Sequence, residues 1–232
     1  MADASVAPYW RHHGLRDLDA LMLSHGDNDH AGAYKDLLRQ IVPASIVSAE
    51  PNRTDEKHQP CYQGQQWQWD GVRFSVLSPK KDAKAKGNNA SCVLLIESEY
   101  GSALLMGDAE RVVEKQLDSS LLKSGPITVV VAGHHGSNSS SSAEFIDAVQ
   151  TDEVWFSAGY LNRYQFPKKA VLSRWQSAGV LTYRTDLQGT IQRSFKAQPS
   201  QTSTYWPNAR KPWHNSVSPL APSEHAVSSV SE

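Results

Sequence analysis

The sequence lacks features that mark several common protein classes. It has no apolar run approaching the ~20 residues that span a bilayer, and its first residues lack the hydrophobic segment of a signal peptide. Its two cysteines, Cys61 and Cys92, form no C-x-x-C pair and predict no disulfide framework, and we expect Cys92 to be a small buried apolar residue. The formal net charge of −1 gives no overall attraction for nucleic acids, so any such contact has to be local.

The composition is sufficient for one sizeable folded domain. The chain has 232 residues, of which 39% are hydrophobic. From about Ala197 onward the sequence is rich in serine, proline and asparagine, and it has too little apolar material to offset the entropy of ordering. We therefore predict a domain over residues 1–196 and a mostly disordered polar tail over residues 197–232.

Short apolar runs that alternate with amphipathic stretches predict a layered α/β domain. Several runs are apolar throughout, as expected of strands that are covered on both faces. The predicted strands are Ala20–Ser24, Ser45–Ala49, Val72–Ser78, Cys92–Glu97, Ala103–Met106, Ile127–Ala132, Val154–Ser157, Leu181–Arg184 and Thr190–Phe195. The predicted helices are Ala33–Gln40, Glu110–Leu122, Ala143–Val149 and Pro167–Ser177. An S-x-x-E capping box, Ser141 and Glu144, precedes the third helix, and polar loops are predicted at Glu50–Gln66 and Pro79–Asn89.

The strongest chemical signal follows the first predicted strand. Four side chains that commonly bind metals, His25, Asp27, Asp29 and His30, fall within six residues. Small residues around them leave room for several donors to point at one ion. The alternative is a polar loop in which Asp29 caps the next helix, but a cap requires only one acidic residue.

Two further predicted strands also end in residues of the metal-binding type. Asp108 follows Ala103–Met106, and His134 and His135 follow Ile127–Ala132. Taken alone, Asp108 is more often a helix cap, and adjacent histidines can be incidental surface residues. Together the three strand ends supply more donors than one tetrahedral ion uses, which predicts two metal ions with Asp108 placed to bridge them.

The chemistry predicted for such a centre is hydrolysis. Two ions ~3.5–4 Å apart produce hydroxide from a bound water and stabilise the attacking and leaving oxygens, so no serine or cysteine nucleophile is needed. Phosphodiesters, esters and amides all fit this chemistry. The aspartates make the donor set rich in oxygen, which favours manganese as much as zinc.

These motifs resemble the metallo-β-lactamase superfamily, whose signature is H-x-H-x-D-H, a third histidine, Gly-Asp and a final histidine. The resemblance implies a four-layer αββα sandwich. In the first motif, Asp27 replaces the second histidine. Asn88–Asn89 lies where the third histidine is expected. The matching positions are His25, Asp29 and His30 for the first motif, Asp108 for the bridging aspartate, and His134 or His135 for the final ligand.

Within that superfamily the sequence resembles the ComEC-type DNA-uptake, or competence, proteins. The shared segments, from about Val6 to Phe195, are SHGDNDHAGA, NNAS, MGDAE, GHHGSNSSSS, GYLNRYQFP and YRTDLQGTI. Such domains usually begin with a β-hairpin and a D-x-G segment, whereas only 24 residues precede His25 here. The chain therefore resembles the C-terminal domain of a longer protein without the first strands of the sandwich, which would leave an exposed strand edge.

The resemblance implies a nuclease that degrades the non-transported DNA strand by attack of a metal-bound hydroxide on phosphodiesters. The implied partners are single-stranded DNA, bound without sequence preference, and the remainder of a polytopic channel protein. The parent protein is then expected in the bacterial inner membrane, with this soluble domain on the periplasmic face.

The resemblance also implies roles for individual residues. The expected metal ligands are His25, Asp27, Asp29, His30, Asp108 and His135. The expected catalytic residues are Asp29, Asp108 and His134. The expected substrate contacts are Ser137, Asn138, Asn162, Arg163 and Lys168. The Ser-rich turn at the end of the GHHGSNSSSS segment is also expected to offer donors to a phosphate. Tyr160 and Tyr164 either stack on bases or only pack within the domain.

Three other interpretations are open on the sequence. The first is a hydrolase of a small substrate such as a lactam, thioester or phosphonate. The second is a non-catalytic module that binds metal or DNA. The third is an unstable gene remnant.

Overall fold

A seven-stranded sheet, a three-stranded sheet and a two-stranded ribbon organise the chain in a computed structural model, which describes residues 6–50, 58–117, 125–198 and 201–206. The strands are β1 (Leu18–Leu23), β2 (Pro43–Ser48), β3 (Gln59–Pro60), β4 (Gln66–Trp69), β5 (Val72–Ser78), β6 (Val93–Ser98), β7 (Gly101–Leu105), β8 (Val129–Val131), β9 (Glu153–Phe156), β10 (Leu181–Arg184), β11 (Ile191–Gln192) and β12 (Ser203–Thr204). The α-helices are α1 (Val6–His12), α2 (Asn28–Ala31), α3 (Tyr34–Leu38), α4 (Arg111–Glu114), α5 (Ala143–Val149), α6 (Lys169–Ser177) and α7 (Thr185–Gln188).

The seven-stranded sheet has the order β10-β9-β8-β7-β6-β5-β4. Strands β4 to β7 form an antiparallel meander, and β7 to β10 are parallel. Asp70 and Gly71, with φ angles of 47° and 81°, form the two-residue turn that pairs Trp69 with Val72. The central parallel strands β8 and β9 are mostly buried, as expected of strands covered on both faces, whereas the edge strand β10 is more exposed.

Alternating side chains of β6 show how the layers are arranged. Leu95 belongs to the larger apolar cluster, which also contains Phe145 of α5 and Trp175 of α6. Leu94 faces the opposite way, into a smaller cluster that Met22 of the three-stranded sheet joins. The seven-stranded sheet is therefore covered by helices on one face and by the small sheet on the other. This layered mixed α/β architecture confirms the predicted fold class.

The three-stranded sheet is parallel and has the order β1-β2-β3. Within the described residues, β1 has a strand neighbour on one side only, which is the exposed edge expected from the sequence. No helix in the described part of the chain is long and apolar enough to cross a membrane.

All nine predicted strands coincide with observed strands to within a few residues, but several other elements differ from the prediction. β3 lies inside the predicted loop Glu50–Gln66, and β4 begins at its last residue. Neither strand was predicted, because neither contains an apolar run. A 3₁₀ turn, Gly87–Ala90, interrupts the second predicted loop. The helix predicted at Glu110–Leu122 is observed as the single turn of α4, and its residues beyond 117 lie outside the described part of the chain. The cap of α5 is Ser142 rather than Ser141, since the Ser142 hydroxyl accepts from the Phe145 amide.

The prediction of a disordered tail does not hold for residues 201–206. β12 pairs with β11 in antiparallel register, and the amide of Trp206 donates to the Gln188 carbonyl. The hydroxyl of Thr202 donates to the buried carboxylate of Glu153. Residues 199–200 and 207–232 lie outside the described residues, so the remainder of that prediction and the boundary at residue 196 stay predictions.

The two cysteines, from which the sequence predicts no disulfide framework, form a single disulfide in the structure. Cys61 and Cys92 form a disulfide with their Cα atoms 6.1 Å apart. The amide of Cys61 donates to Ser48 at the end of β2, while Cys92 precedes β6, so the bond links the two sheets. Sequence spacing does not reveal this proximity, because it arises from packing of one sheet on the other. Cys92 is buried, as expected.

Candidate metal centre

Three loops that follow strand ends converge between the two sheets. One follows β1, the second follows β7 and the third follows β8. The amide of Cys92 donates to the Ser24 carbonyl, which joins the first loop to the start of β6. The amide of His134 donates to the Gly107 carbonyl, which joins the second loop to the third. Sites commonly form where strand ends meet in this way.

The first motif forms the short helix α2 and does not use its aspartates as caps. Asp27 occupies the N-cap position without a side-chain cap bond, and Asp29 lies in the first turn. The nearby amide of Gly26 is bound by a different carboxylate, since it donates to Glu50 at 2.7 Å. The alternative that Asp29 only caps a helix is therefore not supported, and Asp108 is not a cap either, since Glu110 occupies that position in α4.

The Gly133–Gly136 turn holds two histidines in an unusual backbone conformation. His134 and His135 have φ angles of 48° and 54°, in the left-handed region that side chains rarely adopt. Such conformations persist at functional sites where the surroundings impose them. Glycine is required on both sides: a Cβ atom at Gly133 would lie 2.4 Å from the Ala109 carbonyl, and one at Gly136 would lie 2.6 Å from Pro167.

Four side chains point their donor atoms at a common position. They are Asp29, His30, Asp108 and His135, with the four donor atoms within 4.8 Å of one another. Asp108 Oδ1 lies 2.9 Å from His30 Nε2 and 3.4 Å from His135 Nε2. His135 Nε2 lies 3.3 Å from both His30 Nε2 and Asp29 Oδ2. A tetrahedral ion with bonds of ~2.1 Å requires donor separations of about 3.4 Å, so this arrangement fits a metal ion.

The second nitrogen of each imidazole is fixed by the protein. His135 Nδ1 lies 2.6 Å from the Ser157 carbonyl, which requires a proton on Nδ1 and leaves Nε2 free to bind metal. Ser24 Oγ lies 3.0 Å from His30 Nδ1 and 3.2 Å from His25 Nδ1. These contacts orient the rings before any ion binds.

The other oxygen of Asp108 faces a second group of donors. Asp108 Oδ2 lies 4.0 Å from His25 Nε2 and 3.9 Å from His134 Nε2. Asp27 Oδ2 lies 3.6 Å from His25 Nε2. His25 is fully buried, and its Nε2 atom has no hydrogen-bond partner in the described structure. A buried nitrogen of this kind is costly unless something binds it, which is again consistent with a cation at this position.

The electrostatics of the cluster couple the histidines to Asp108. Burial alone would lower the pKa of His30, but its close contact with Asp108 and the charges of Asp29 and Asp27 outweigh burial and raise that pKa. Burial opposes ionisation of Asp108, but the contact with His30 and the charges of His135, His30 and His25 together lower its pKa. Burial and the charge of His30 lower the pKa of His25. Asp108 is thus kept ionised, as a metal-binding carboxylate must be.

A polar network that the sequence analysis did not identify surrounds His134. Its Nδ1 atom lies 3.1 Å from Ser139 Oγ, 3.3 Å from Glu110 Oε1 and 3.3 Å from Asn88 Nδ2. Asn89 also donates to Glu110. The NNAS segment was the available signal: besides the two asparagines it supplies Ser91, whose hydroxyl accepts from the Asp108 amide at 2.9 Å.

The Ser-rich turn does not present its amides to a ligand, contrary to the expectation of a phosphate site there. Glu114, which is 6% exposed, accepts from the amides of Ser141 and Ser142 and from the Ser142 hydroxyl. Arg174 donates to the carbonyls of Ser140 and Ser141 from the other side. The protein's own carboxylate therefore occupies the start of α5 and holds the turn in place.

The remaining predicted substrate contacts differ in their exposure and in how many hydrogen bonds they make within the protein. Ser137 Oγ accepts from Ser139, while Asn138 is exposed and its carbonyl accepts from Arg111. The Asn162 side chain bonds three times within its own loop, to Gly159 and twice to Phe166. Arg163 is exposed, and Lys168 is half-buried with its Nζ atom 2.7 Å from the Tyr164 carbonyl. Asn162 thus supports the loop that carries the two cations.

The chain is similar in sequence to part of several longer bacterial proteins. The chain is 36% identical over 191 residues to competence protein ComA of Neisseria gonorrhoeae, and the matched region covers 82% of this chain and 27% of the relative. It is 34% identical over 224 residues to ComE operon protein 3 of Bacillus subtilis, which covers 89% and 28%. Recombination protein 2 of Haemophilus influenzae is 32% identical over 196 residues, with coverage of 84% and 24%. The chain spans about a quarter of the length of these curated relatives.

Solved structures agree on the fold. Igni18, a metallo hydrolase from Ignicoccus hospitalis, superposes with a TM-score of 0.51 at 13% identity, covering 81% of this chain and 79% of that one. YhfI of Bacillus subtilis, a metallo-β-lactamase fold protein, gives a TM-score of 0.50 at 11% identity, covering 77% and 80%. The family model described as the metallo-beta-lactamase superfamily matches residues 2–159, a range that includes all three strand-end motifs. Since that match extends over more than half of the sequence, the chain belongs to the metallo-beta-lactamase superfamily.

Proposed function

We propose that this domain is a metal-dependent phosphodiesterase that acts during DNA uptake and degrades the DNA strand that is not transported. The observation that carries the proposal is the convergence of Asp29, His30, Asp108 and His135 on one position within 4.8 Å. The names of the relatives, two competence-related proteins and a recombination protein, point to DNA as the substrate.

The donor geometry supports two ions, manganese or zinc. Asp29, His30, Asp108 and His135 would hold the first, and His25 and Asp27 would hold the second with the other oxygen of Asp108. When bound, such ions activate a water molecule as the nucleophile and neutralise charge on the phosphate. Two imidazoles with two carboxylates form a mixed nitrogen and oxygen set that suits either metal.

The chain's own residues then bind and orient the substrate. Asp108 bridges the two sets of donors, and Asp29 is the more exposed carboxylate on the open side of the cluster, with 52% of its side chain accessible. His134 faces Asp108 with Nε2 and is oriented through Nδ1 by Glu110, so it can bind a metal or donate to a phosphate oxygen. Ser137 and Asn138, which follow the histidine turn, and Arg163 and Lys168, which precede α6, are candidate phosphate contacts, and Asn162 acts by supporting the loop.

We further propose that the domain is part of a polytopic channel protein of the bacterial inner membrane and lies on its periplasmic face. The chain matches about a quarter of each competence-related relative, which leaves room for a membrane part. The Cys61–Cys92 disulfide is compatible with an oxidising compartment such as the periplasm. Thiol labelling of protein taken directly from cells tests this placement: labelled cysteines before reduction contradict it.

The test of the activity is cleavage of a single-stranded oligonucleotide by the purified protein in Mn²⁺ or Zn²⁺, with and without EDTA. We expect metal-dependent cleavage that is lost in Asp108→Asn. Asp36→Asn, which changes an exposed carboxylate on α3, is the matched control and should cleave normally. Absence of cleavage with either metal contradicts the proposal, and hydrolysis of a lactam by the same sample would support a small-substrate hydrolase instead.

A further inference from the structure

The loop between β9 and α6 carries a row of rings that extends from solvent to the metal centre. The ring centroids of Tyr164 and Phe166 are 5.5 Å apart, with their planes 20° from parallel. The Phe166 and His135 rings are 6.4 Å apart and are also 20° from parallel. We call Tyr164, Phe166 and His135 the aromatic ladder. Its inner member is a donor of the candidate metal site.

The ladder is held rigidly by contacts that do not involve its ring faces. The Asn162 amide donates to the carbonyls of Gly159 and Phe166, and its oxygen accepts from the Phe166 amide. The amide of Lys168 donates to the Gly136 carbonyl, which ties this loop to the turn that carries His135. A stacking surface fixed relative to the metal centre requires this kind of support.

The outer ring is accessible and has cations beside it. Tyr164 is 52% exposed, although burial of an aromatic ring is favourable. The Arg163 guanidinium lies 4.6 Å from the centre of the Tyr164 ring, and Lys168 Nζ lies 5.5 Å from the centre of the Phe166 ring. Exposed rings combined with cations are the pairing by which proteins bind single-stranded nucleic acids, with bases on the rings and phosphates on the cations.

We propose that Tyr164 and Phe166 form a stacking subsite for one unpaired base of the DNA chain whose phosphate is bound at the metal centre. The base replaces the exposed Arg163 guanidinium on the Tyr164 ring, because base stacking on an aromatic ring is stronger than an exposed cation–π contact. Arg163 is then free to bind the neighbouring phosphate. In a duplex both faces of a base are covered by its neighbours, so the subsite selects single-stranded DNA.

This inference rests on the proposed nuclease function and adds a substrate preference to it. Tyr164 and Phe166 are positioning residues: Tyr164 would contact the base, Phe166 would support the Tyr164 ring from behind, and neither would contact the reacting phosphate. Tyr100 is 46% exposed and lies just before β7, at the opposite end of that strand from Asp108. It therefore provides a control for Tyr164 outside the proposed subsite.

The experiment compares two chains of equal length and charge in Mn²⁺: oligothymidylate, and the same backbone built from abasic tetrahydrofuran residues. The wild-type protein is expected to show a kcat/KM about tenfold higher for oligothymidylate, since base stacking contributes roughly that factor. In Tyr164→Leu and Phe166→Leu the ratio should fall towards one, whereas Tyr100→Leu should retain the wild-type ratio. A general loss of folding or of metal lowers both rates and leaves the ratio readable.

Each outcome either supports or overturns the subsite. A ratio near one in the wild type, or a tenfold ratio that persists in Tyr164→Leu and Phe166→Leu, overturns it while the nuclease function stands. Equal cleavage of oligothymidylate alone and of oligothymidylate paired with its complement also overturns it. If neither chain is cleaved in any metal, the proposed function fails and this inference fails with it.

Discussion

The two sheets support their halves of the metal centre in different ways. The seven-stranded sheet supplies Asp108, whose side chain is 4% exposed, and the histidine turn that follows β8. The three-stranded sheet supplies Asp27 and Asp29, whose side chains are 44% and 52% exposed. Both halves point donors at the same position, but only the first half surrounds its carboxylate with protein.

The difference follows from packing. The seven-stranded sheet lies against the larger apolar cluster, in which Leu104 next to the Asp108 loop and Val130 next to the histidine turn are fully buried. The three-stranded sheet contributes only partly buried residues, such as Met22 and Val47, to the smaller cluster. We infer that the first half is preorganised by protein contacts, whereas in the second half the exposed carboxylates of Asp27 and Asp29 depend on a metal ion for their final geometry.

The largest expected effect is a loss of kcat/KM that is much greater for a substitution of Asp108 than for one of Asp29. Asp108→Asn removes the proposed bridging carboxylate from the rigid half, and we expect kcat/KM on oligothymidylate to fall about a thousandfold, which corresponds to about 4 kcal/mol. Asp29→Asn changes an exposed ligand in the adaptable half, and we expect a loss of about tenfold. Steady-state kinetics in saturating Mn²⁺ provide the measurement, and equal losses would contradict the comparison.

The next largest effect concerns stability and involves Glu114. Glu114→Ala leaves two buried amides and a hydroxyl without their acceptor, so the free energy of unfolding should fall by about 3 kcal/mol. Urea denaturation measures the change. Glu144→Ala, on the exposed face of α5, should change stability by less than about 0.5 kcal/mol. A stable Glu114→Ala protein would show that the Ser-rich turn does not need this carboxylate.

Metal removal should affect the two halves unequally. A free metal concentration some tens of times above Kd stabilises the protein by about 2 kcal/mol, and EDTA removes that contribution. Hydrogen exchange should then increase at α2 in the three-stranded half. It should change little at Gly133–Gly136, which protein contacts hold. Equal exchange at both segments after EDTA treatment would refute unequal preorganisation.

The smallest expected effect comes from the two serines that orient the ligands. Ser24→Ala removes the partner of His30 Nδ1, and Ser91→Ala removes the partner of the Asp108 amide. We expect metal affinity to fall about tenfold in each case. Ser45→Ala, which removes an exposed hydroxyl from β2, is the control. Calorimetric titration with Mn²⁺ distinguishes these variants, and unchanged affinity in both would assign the serines to packing alone.

Local sequence patterns predicted the strands and the motif loops well. Strands β5 and β10 were predicted with their observed bounds, because their β-branched and aromatic residues favour strands. Asp108 and His135 converge as expected, since β7 and β8 are parallel neighbours whose ends lie at one edge of a sheet. His25 reaches them from the other sheet, through packing of the two sheets. The roles of the individual ligands stay predictions.

Features that depend on long-range packing could not be predicted in the same way. The contact of Glu114 with Ser142 joins residues 28 positions apart, and no local motif indicates that a carboxylate will fill a helix start. The Cys61–Cys92 bond depends on one sheet packing against the other. Phe166 became a candidate for substrate binding only when its ring was seen beside His135.

The most direct test of the account is a crystal soaked in Mn²⁺ and measured at the manganese absorption edge. The account predicts an anomalous peak with Asp29, His30, Asp108 and His135 as ligands at about 2.2 Å, and a second peak between Asp108 and His25. Absence of any peak at this position, in crystals whose donors are ordered as described, would contradict a metal centre in this domain.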